Sequence, residues 1–162
     1  MLDKRPIKLY NIDKGGRKMT KEILALVPAY NKGMNTTILI YTDLSMKDLK
    51  VSIKTAVSRL FKESMYDERL YNERLREFTT KKNALPLVFS THRLVSFVYR
   101  RPRSRNDGSY IYINPGYIYD IDDDVIYVQK LGKVKVLSKK RTIRKNLSDY
   151  ERVMKARDVI FK

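Results

Sequence analysis

The apolar positions near the amino end fall into three short segments separated by polar turns. These segments, Ile7 to Ile12, Ile23 to Tyr30 and Thr36 to Thr42, are rich in Ile, Leu, Val, Thr and Tyr, which favour strands. The glycine-containing stretches DKGG at 13–16 and NKGMN at 31–35 lie between them and are typical of turns. We therefore predict three strands here, in an antiparallel arrangement.

The spacing of the apolar positions changes after Asp43 and Ser45, either of which can cap the start of a helix. The change predicts an amphipathic helix with Lys47, Lys50 and Lys54 together on its polar face. Lysines are common on the solvated face of a surface helix, so we favour that interpretation over phosphate contact. The apolar residues that recur at intervals of three and four are Met46, Leu49, Ile53, Ala56, Val57 and Leu60.

A second helix is predicted from Asp67 to Phe78, because Glu and Arg residues pair there at helical spacings. Its positive and negative charges balance, so it is a poor candidate for contact with DNA. Gly132 is predicted to provide the turn of a later hairpin. The strand patterns that follow this helix occupy 84–89, 94–99, 109–121 and 124–137.

The segment RRPRSRNDGS at 100–109 lies between two of these strand patterns and carries four arginines around a proline. Pro102 cannot donate to a strand ladder and Asp107-Gly108 is a turn dipeptide, so the segment is predicted to be a projecting hairpin loop. Arginine suits phosphate oxygens and the narrow minor groove of A-tracts, where the negative potential is enhanced. We predict that the loop contacts an anion through Arg100, Arg101, Arg103 and Arg105.

A second cationic cluster, SKKRTIRKN, occupies 138–146. It precedes a final helix that is signalled by Ser148, with Glu151 three residues later. We therefore predict a loop that is held close to the fold and does not trail as a free tail. The residues expected to hold DNA phosphates are Lys139, Lys140, Arg141, Arg144 and Lys145.

The composition makes a polyanion the expected partner. Lys and Arg number 35 and Asp and Glu number 18, so the formal net charge is +17, and such a basic domain most often binds nucleic acid. The chain has no cysteine, which excludes disulfides and thiolate zinc sites. It has no apolar run long enough to span a membrane and no signal-peptide core. We expect a cytoplasmic, nucleoid-associated protein with no membrane partner.

The order of the elements predicts the fold class. The chain has 162 residues, of which 43% are apolar, and this is enough for one ordinary domain. No linker, repeat or low-complexity tract divides it. We expect a single α+β domain over residues 1–162, with a mostly antiparallel sheet, two central helices and a C-terminal helix.

Catalytic interpretations find little support in the sequence. His92 is the only histidine, so a histidine metal site or a Ser-His triad lacks a second member. The acidic stretch DIDDD at 120–124 has ligands that suit magnesium, but we favour an acidic turn between two strands. We expect no enzymatic activity, no cofactor and no bound metal. The enzymatic alternative is a magnesium-dependent nuclease that uses Asp122, Asp123 or Asp124.

Five tyrosines in the second half of the chain suggest another mode of nucleic-acid binding. Bases stack on aromatic side chains in RNA and single-strand binders, although tyrosine is also an ordinary strand residue. An RNA-binding or ribosome-associated basic protein is the alternative that this pattern leaves open. We favour core and sheet-surface roles over base stacking for Tyr110, Tyr112, Tyr117, Tyr119 and Tyr127.

Several stretches follow one another in an order that resembles a known family. LYNIDKGG with ILALVPAY is similar to a Tyr-x-x-x-Lys-Gly opening and an apolar strand ending in Pro. KKNALPLVF is similar to a Lys-Pro-Pro-Ile segment, and SYIYINPGYIYDI to a WIN...YI segment, with Tyr112 in place of Trp. VIYVQKLGKVKVLSKKRTIRKNL corresponds to a strand, a turn and a strand before a closing helix. From about Leu9 to Val153 the chain thus resembles the competence transcription factor ComK family.

This resemblance implies a sequence-specific activator of competence-type genes that binds paired A-rich and T-rich boxes through the minor groove. It implies an oligomer with one subunit on each box, and partners that include double-stranded DNA, the transcription machinery and a proteolytic adaptor. SFVYRRPRS stands where the family has Phe-Pro-Thr-x-Ser, and we expect the longer carboxyl tail of some members to be missing. A phage-borne or plasmid-borne homologue with a changed target is a further alternative.

Overall fold

The computed structural model describes residues 10–12, 18–103 and 108–161, with side chains from residue 21 onward. These residues form an α+β fold, which confirms the predicted class. The strands are β1 (Tyr10–Ile12), β2 (Lys18–Thr20), β3 (Ile23–Asn31), β4 (Met34–Tyr41), β5 (Met46–Asp48), β6 (Val95–Val98), β7 (Tyr110–Ile113), β8 (Ile118–Asp122), β9 (Val125–Val128) and β10 (Gly132–Lys135). The helices are α1 (Ile53–Glu63), α2 (Glu68–Leu75), α3 (Lys140–Lys155) and α4 (Arg157–Ile160).

The central feature is a five-stranded antiparallel sheet in the order β5-β4-β3-β7-β6. A smaller antiparallel sheet has the order β10-β9-β8, and β1 pairs with β2. Successive side chains of a strand point to opposite faces, and the large sheet is buried on both. Leu26 and Tyr112 belong to the core that contains α1 and α2, whereas Leu24 and Ile113 pack in the core that contains the small sheet.

The first helix begins later than the apolar spacing predicts. Residues Met46–Asp48 form the edge strand β5, and Lys50 has a positive φ of 57°, which interrupts any helix at that point. Helix α1 begins after Ser52, whose hydroxyl accepts a hydrogen bond from the Thr55 N–H at 3.3 Å. The predicted helix start at Met46 is therefore wrong.

The lysines assigned to the polar face of this helix are correspondingly separated. Lys47 lies in β5 and is buried, Lys50 lies in the following loop, and only Lys54 is on α1 with an exposed side chain. Asp48 accepts hydrogen bonds from Thr36 and from Asn31, which fixes the edge strand to its neighbour. These long-range bonds explain why the segment is extended.

The predicted strand at 84–89 is also largely wrong. The only β-type pairing of this segment in the described chain is a single antiparallel bridge between Leu87 and Leu94. The Tyr71 hydroxyl instead donates to the Pro86 carbonyl at 2.6 Å and accepts from the Val88 N–H at 2.9 Å. A buried side chain on α2 thus satisfies backbone groups that a strand would pair.

The hairpin that carries the arginine segment is confirmed, because β6 and β7 pair antiparallel with Val98 opposite Tyr110. Gly108 was predicted to serve a turn, but it is absent from the residues with positive φ in the described chain. It is needed for close packing, since a Cβ at this position would lie 1.9 Å from Cγ2 of the buried Ile53. Asp107, the other member of the predicted turn, lies outside the described residues.

We expect Gly108→Ala to destabilise the protein by about 1–3 kcal/mol, because the added methyl group must displace the buried Ile53 side chain. Denaturant unfolding measures this difference. Gly116→Ala is the matched control, since its Cβ would meet only Asn114 Oδ1 at 3.3 Å. Equal losses of stability in the two variants would contradict the packing role of Gly108.

Candidate nucleic-acid interface

The two cationic segments predicted from the sequence meet at the end of strand β6. The Leu137 N–H donates to the Val98 carbonyl at 2.8 Å, which joins the segment before α3 to the start of the arginine loop. The backbone between β6 and β7 continues this junction, because the N–H groups of Tyr99 and Arg100 both donate to the Ser109 carbonyl. Arg100 of the first segment and Lys139 of the second line one shallow groove, together with Lys135 and Leu137.

Arg100 holds the base of the arginine loop in place. Its Nε donates to the Gly108 carbonyl at 3.0 Å, and its Nη2 donates to Asn35 Oδ1 at 2.9 Å. The guanidinium also lies 4.1 Å from the centroid of the Tyr30 ring, a favourable cation–π geometry. Burial, with the nearby charge of Arg103, lowers the pKa of Arg100. Arg100 therefore connects the loop to the β3–β4 hairpin.

The remaining loop arginines differ in their surroundings. Arg101 and Arg103 are exposed, and the Arg103 guanidinium lies 4.4 Å from the centroid of the same Tyr30 ring. Tyr30 thus contacts the guanidinium groups of both Arg100 and Arg103. Arg105 lies outside the described residues, so its predicted role stays a prediction.

The second cluster is on a helix, and its prediction as a loop is wrong. Helix α3 begins at Lys140, eight residues before the predicted start at Ser148. Its N-cap position holds Lys139, whose ammonium group only donates and so cannot cap N–H groups. The helix forms because apolar and polar anchors recur on one buried face, at Ile143, Asn146, Asp149 and Val153.

The opposite face of α3 is cationic. Arg141, Arg144 and Lys145 are exposed at helical spacings of three and four, so their side chains are neighbours on one surface. Arg152 and Lys155 extend this face toward the carboxyl end. The positive end of the helix dipole adds to the potential near Lys140. At 1.5 Å per residue the helix is about 24 Å long, which gives the cations an elongated distribution.

Two buried polar side chains fix this helix to the fold. The Asn146 side-chain amide donates to the Ser96 carbonyl of β6 at 3.2 Å. The Asp149 carboxylate, only 1% exposed, accepts from the Thr80 N–H at 3.1 Å and from Arg152 at 2.6 Å. Neither residue was singled out from the sequence, because a polar side chain in a helix with so many charged residues is more often solvated.

The acidic stretch forms a turn at the groove that Arg100 and Lys139 line, and Asp124 is part of the groove wall. Asp123 has a positive φ of 51° at the β8–β9 turn, and its carboxylate lies 3.8 Å from the Lys139 ammonium. Among the described residues, which include 120–124, no group of three His, Cys, Asp or Glu side chains is placed to hold a metal ion. The turn thus offers no support for the nuclease alternative and instead places a negative charge beside Lys139.

The single histidine lies in the aromatic core. His92 is buried, and its ring packs edge-on against Phe89 with the ring centroids 5.4 Å apart. Burial, with the nearby charge of Arg93, lowers the pKa of His92 to about 4. The neutral imidazole therefore has a packing role at neutral pH.

Because the unfolded chain binds a proton at His92 near pH 6.5 and the folded protein only near pH 4, acid favours the unfolded state between these values. We expect the free energy of unfolding to fall as the pH is lowered from 6.5 to 4, by up to about 3 kcal/mol from this residue. Urea unfolding across this range measures the loss. His92→Gln should lose less stability than the wild type, and identical pH profiles would contradict this assignment.

The tyrosines divide into two groups. Tyr112 is buried in the core, and the Lys81 ammonium lies 4.8 Å from the Tyr110 ring centroid. Tyr119 is 61% exposed, and its ring centroid is 6.0 Å from that of Tyr127 on the adjacent strand β9. The Lys133 ammonium lies 5.8 Å from the Tyr127 ring centroid. This last group is an outward-facing pair of aromatic rings beside a cation.

Comparisons of the chain with known protein families, with curated proteins and with solved structures find no match. In the part of the chain that the structure describes, no helix is both long and apolar enough to cross a membrane. The net charge of +17 and the placement of the exposed cations are the main chemical features of the molecular surface.

Proposed function

We propose that the protein is a sequence-specific DNA-binding transcription regulator, and not an enzyme, that contacts AT-rich boxes through the minor groove. The observation that supports this proposal is the proximity of two cationic segments at the end of β6, where Arg100 and Lys139 line one groove. A duplex carries closely spaced phosphates on both sides of its minor groove. Exposed loop arginines beside a cationic helix are suited to such a surface.

The arginine loop is proposed to read the groove. Its base is held by the bonds of Arg100 to Gly108 and Asn35, so less conformational freedom is lost when the exposed arginines bind. Arg101 and Arg103, together with Arg105 by its place in the sequence, would enter a narrow AT-rich minor groove. Arg100 would act mainly by positioning this loop.

Helix α3 is proposed to hold the neighbouring phosphates. Its length of about 24 Å corresponds to roughly seven base-pair steps along a strand. Phosphate contacts of this kind provide salt-dependent affinity and fix the register of the protein on the duplex. The residues assigned to this role are Lys139, Lys140, Arg141, Arg144 and Lys145.

The resemblance to the ComK family extends the proposal. It supports activation of competence-type genes, association with the nucleoid and a homo-oligomer that occupies paired boxes with one subunit on each. Half-sites bound by such an oligomer are separated by whole helical turns. The transcription machinery and a proteolytic adaptor are the protein partners proposed on the same basis.

Reversal of the exposed loop charges tests the role of the arginine loop. We expect Arg101→Glu with Arg103→Glu to weaken binding to an AT-box duplex at least about tenfold in a fluorescence-anisotropy titration, because each arginine lies in a narrow groove of negative potential. The control is Lys62→Glu with Arg69→Glu, which makes the same change in net charge on α1 and α2. Unchanged affinity in the loop variant, or equal losses in both variants, would contradict the assignment.

Binding to RNA is the second candidate function, favoured by the exposed Tyr119 and the half-buried Tyr127, which form a pair beside Lys133. Unpaired bases stack on such rings, and each stacked base contributes about 1–3 kcal/mol. Competition between an AT-rich duplex and a structured RNA at fixed salt separates the two functions. If RNA is the target, Tyr119→Ala should lower RNA affinity at least about fivefold and leave duplex affinity unchanged.

A further inference from the structure

A cleft of about 810 Å³ lies between α1, α2 and strand β7. Val57 and Phe61 of α1 form one side, Asn72 of α2 forms another, and Tyr110 and Tyr112 of β7 lie at the base. The volume is within the range of small-molecule sites, which are lined mainly by apolar groups with a few polar ones. The cleft therefore has the size of a ligand site, and its lining combines apolar side chains with polar and charged ones.

A buried phenol provides a polar group at the base of the cleft. Tyr112 lines the cleft and is only 6% exposed. The nearby Glu68 carboxylate accepts a hydrogen bond from the Ser58 hydroxyl at 2.8 Å. The phenol hydroxyl of Tyr112 can donate one hydrogen bond to a molecule bound in the cleft.

The rim of the cleft carries a net positive charge. Lys54, Arg76 and Lys82 contribute three cations, whereas Glu68 contributes one carboxylate. Arg76 and Lys82 are linked, because each side chain donates to the backbone carbonyl of the other residue. Lys54 is exposed on the first turn of α1. An anionic group fits this rim better than a cation.

We propose that the cleft binds a small amphipathic anion, with an aromatic or branched apolar body between α1 and α2 and an acidic group near Lys54 and Lys82. Both ends of the arginine loop line the same cleft, through Pro102 on one side and Gly108 on the other. A bound ligand would therefore lie near the described residues at both ends of the loop. Binding of the ligand does not depend on the function proposed above.

The anionic dye 1-anilinonaphthalene-8-sulfonate is the probe, titrated into the full chain without nucleic acid. We expect saturable fluorescence and a higher melting temperature, since a ligand that binds only the folded state stabilises it. Lys54→Glu should weaken binding at least about tenfold. Lys62→Glu, on the same helix but outside this cleft, should change it less than about twofold. Equal effects of the two substitutions would overturn the proposal.

Tyr112→Phe tests the base of the cleft without changing its volume. We expect it to weaken dye binding by about threefold to tenfold, the value of one hydrogen bond. Nuclear magnetic resonance of the wild-type chain should show dye-induced shifts of the Gly108 and Ser109 amides. Failure of the dye to saturate, or to shift these amides, would contradict the proposal. Loss of DNA binding alone would leave these results unchanged, so the two proposals can fail separately.

Discussion

Reversing two charges on the outer face of α3, Arg144→Glu together with Lys145→Glu, is expected to lower the affinity for an AT-box duplex at least about 100-fold at near-physiological salt. Both side chains are exposed, and each is a neighbour of Arg141 on the helix surface, at a spacing of three or four residues. The substitutions remove two phosphate contacts and place two carboxylates against the DNA backbone, where like charges repel. The buried face of α3 is untouched, so the fold should be retained.

Salt dependence distinguishes this mechanism from a general loss of charge. Anisotropy titrations at several salt concentrations give the slope of log K against log salt, which reports the number of phosphates neutralised. The α3 variant should lower this slope by about two, whereas Lys62→Glu with Arg69→Glu should change it little. An unchanged slope in the α3 variant would show that α3 does not contact phosphates.

The second large effect is on stability. Asp149→Ala is expected to destabilise the protein by about 3–5 kcal/mol, because it removes a buried carboxylate and leaves its donors unpaired. These donors are the Thr80 N–H and hydroxyl, the Lys81 N–H and the Arg152 guanidinium. For a chain of this size the melting temperature should fall on the order of 10 °C.

Glu151→Ala on the same helix is the matched control, since Glu151 is exposed and its removal should cost less than about 0.5 kcal/mol. Thermal unfolding followed by circular dichroism compares the two variants. If Asp149→Ala melted within a few degrees of Glu151→Ala, the buried carboxylate would not be the anchor of α3. The DNA affinity of Asp149→Ala, measured well below its melting temperature, reports how far DNA binding by α3 depends on the Asp149 carboxylate.

The elements that the sequence predicted well are strand-forming segments with a turn signal between them. The arms of the β6–β7 hairpin consist mainly of β-branched and aromatic residues, and they pair with Val98 opposite Tyr110, although both faces of these strands are buried. The start of α1 was predicted wrongly because Met46 and Leu49 continue the helical spacing by coincidence. Hydrogen bonds from Asn31 and Thr36 to Asp48 hold this segment in the sheet. Because these partners are 17 and 12 residues away, the spacing of apolar residues around Asp48 does not indicate them.

The start of α3 was missed for a related reason. The predicted cap at Ser148 matched a common local motif, whereas the actual start at Lys140 follows Lys139, which cannot cap. The helix is fixed by Asn146 and Asp149, whose partners lie 50 and 69 residues away in the chain. Tertiary bonds of this kind override the local capping preference.

The sequence predicted which residues belong to the candidate site, but it did not predict how they are arranged in space. The two cationic clusters are evident in the sequence, yet their proximity depends on the bond between Leu137 and Val98. Arg100 was grouped with the projecting arginines, whereas its guanidinium is bound by Asn35, 65 residues away. The cleft beside α1 and the pairing of Tyr119 with Tyr127 likewise arise only from the folded arrangement.

Binding to three duplexes of the same length tests the central claim most directly. The first has AT boxes, the second replaces them with G·C pairs, and the third with inosine·cytosine pairs, which lack the guanine amino group in the minor groove but retain the major-groove pattern of G·C. Minor-groove reading predicts that the inosine·cytosine duplex binds like the AT duplex and at least about tenfold more tightly than G·C. Equal binding of the inosine·cytosine and G·C duplexes, or no binding to any of the three, would contradict it.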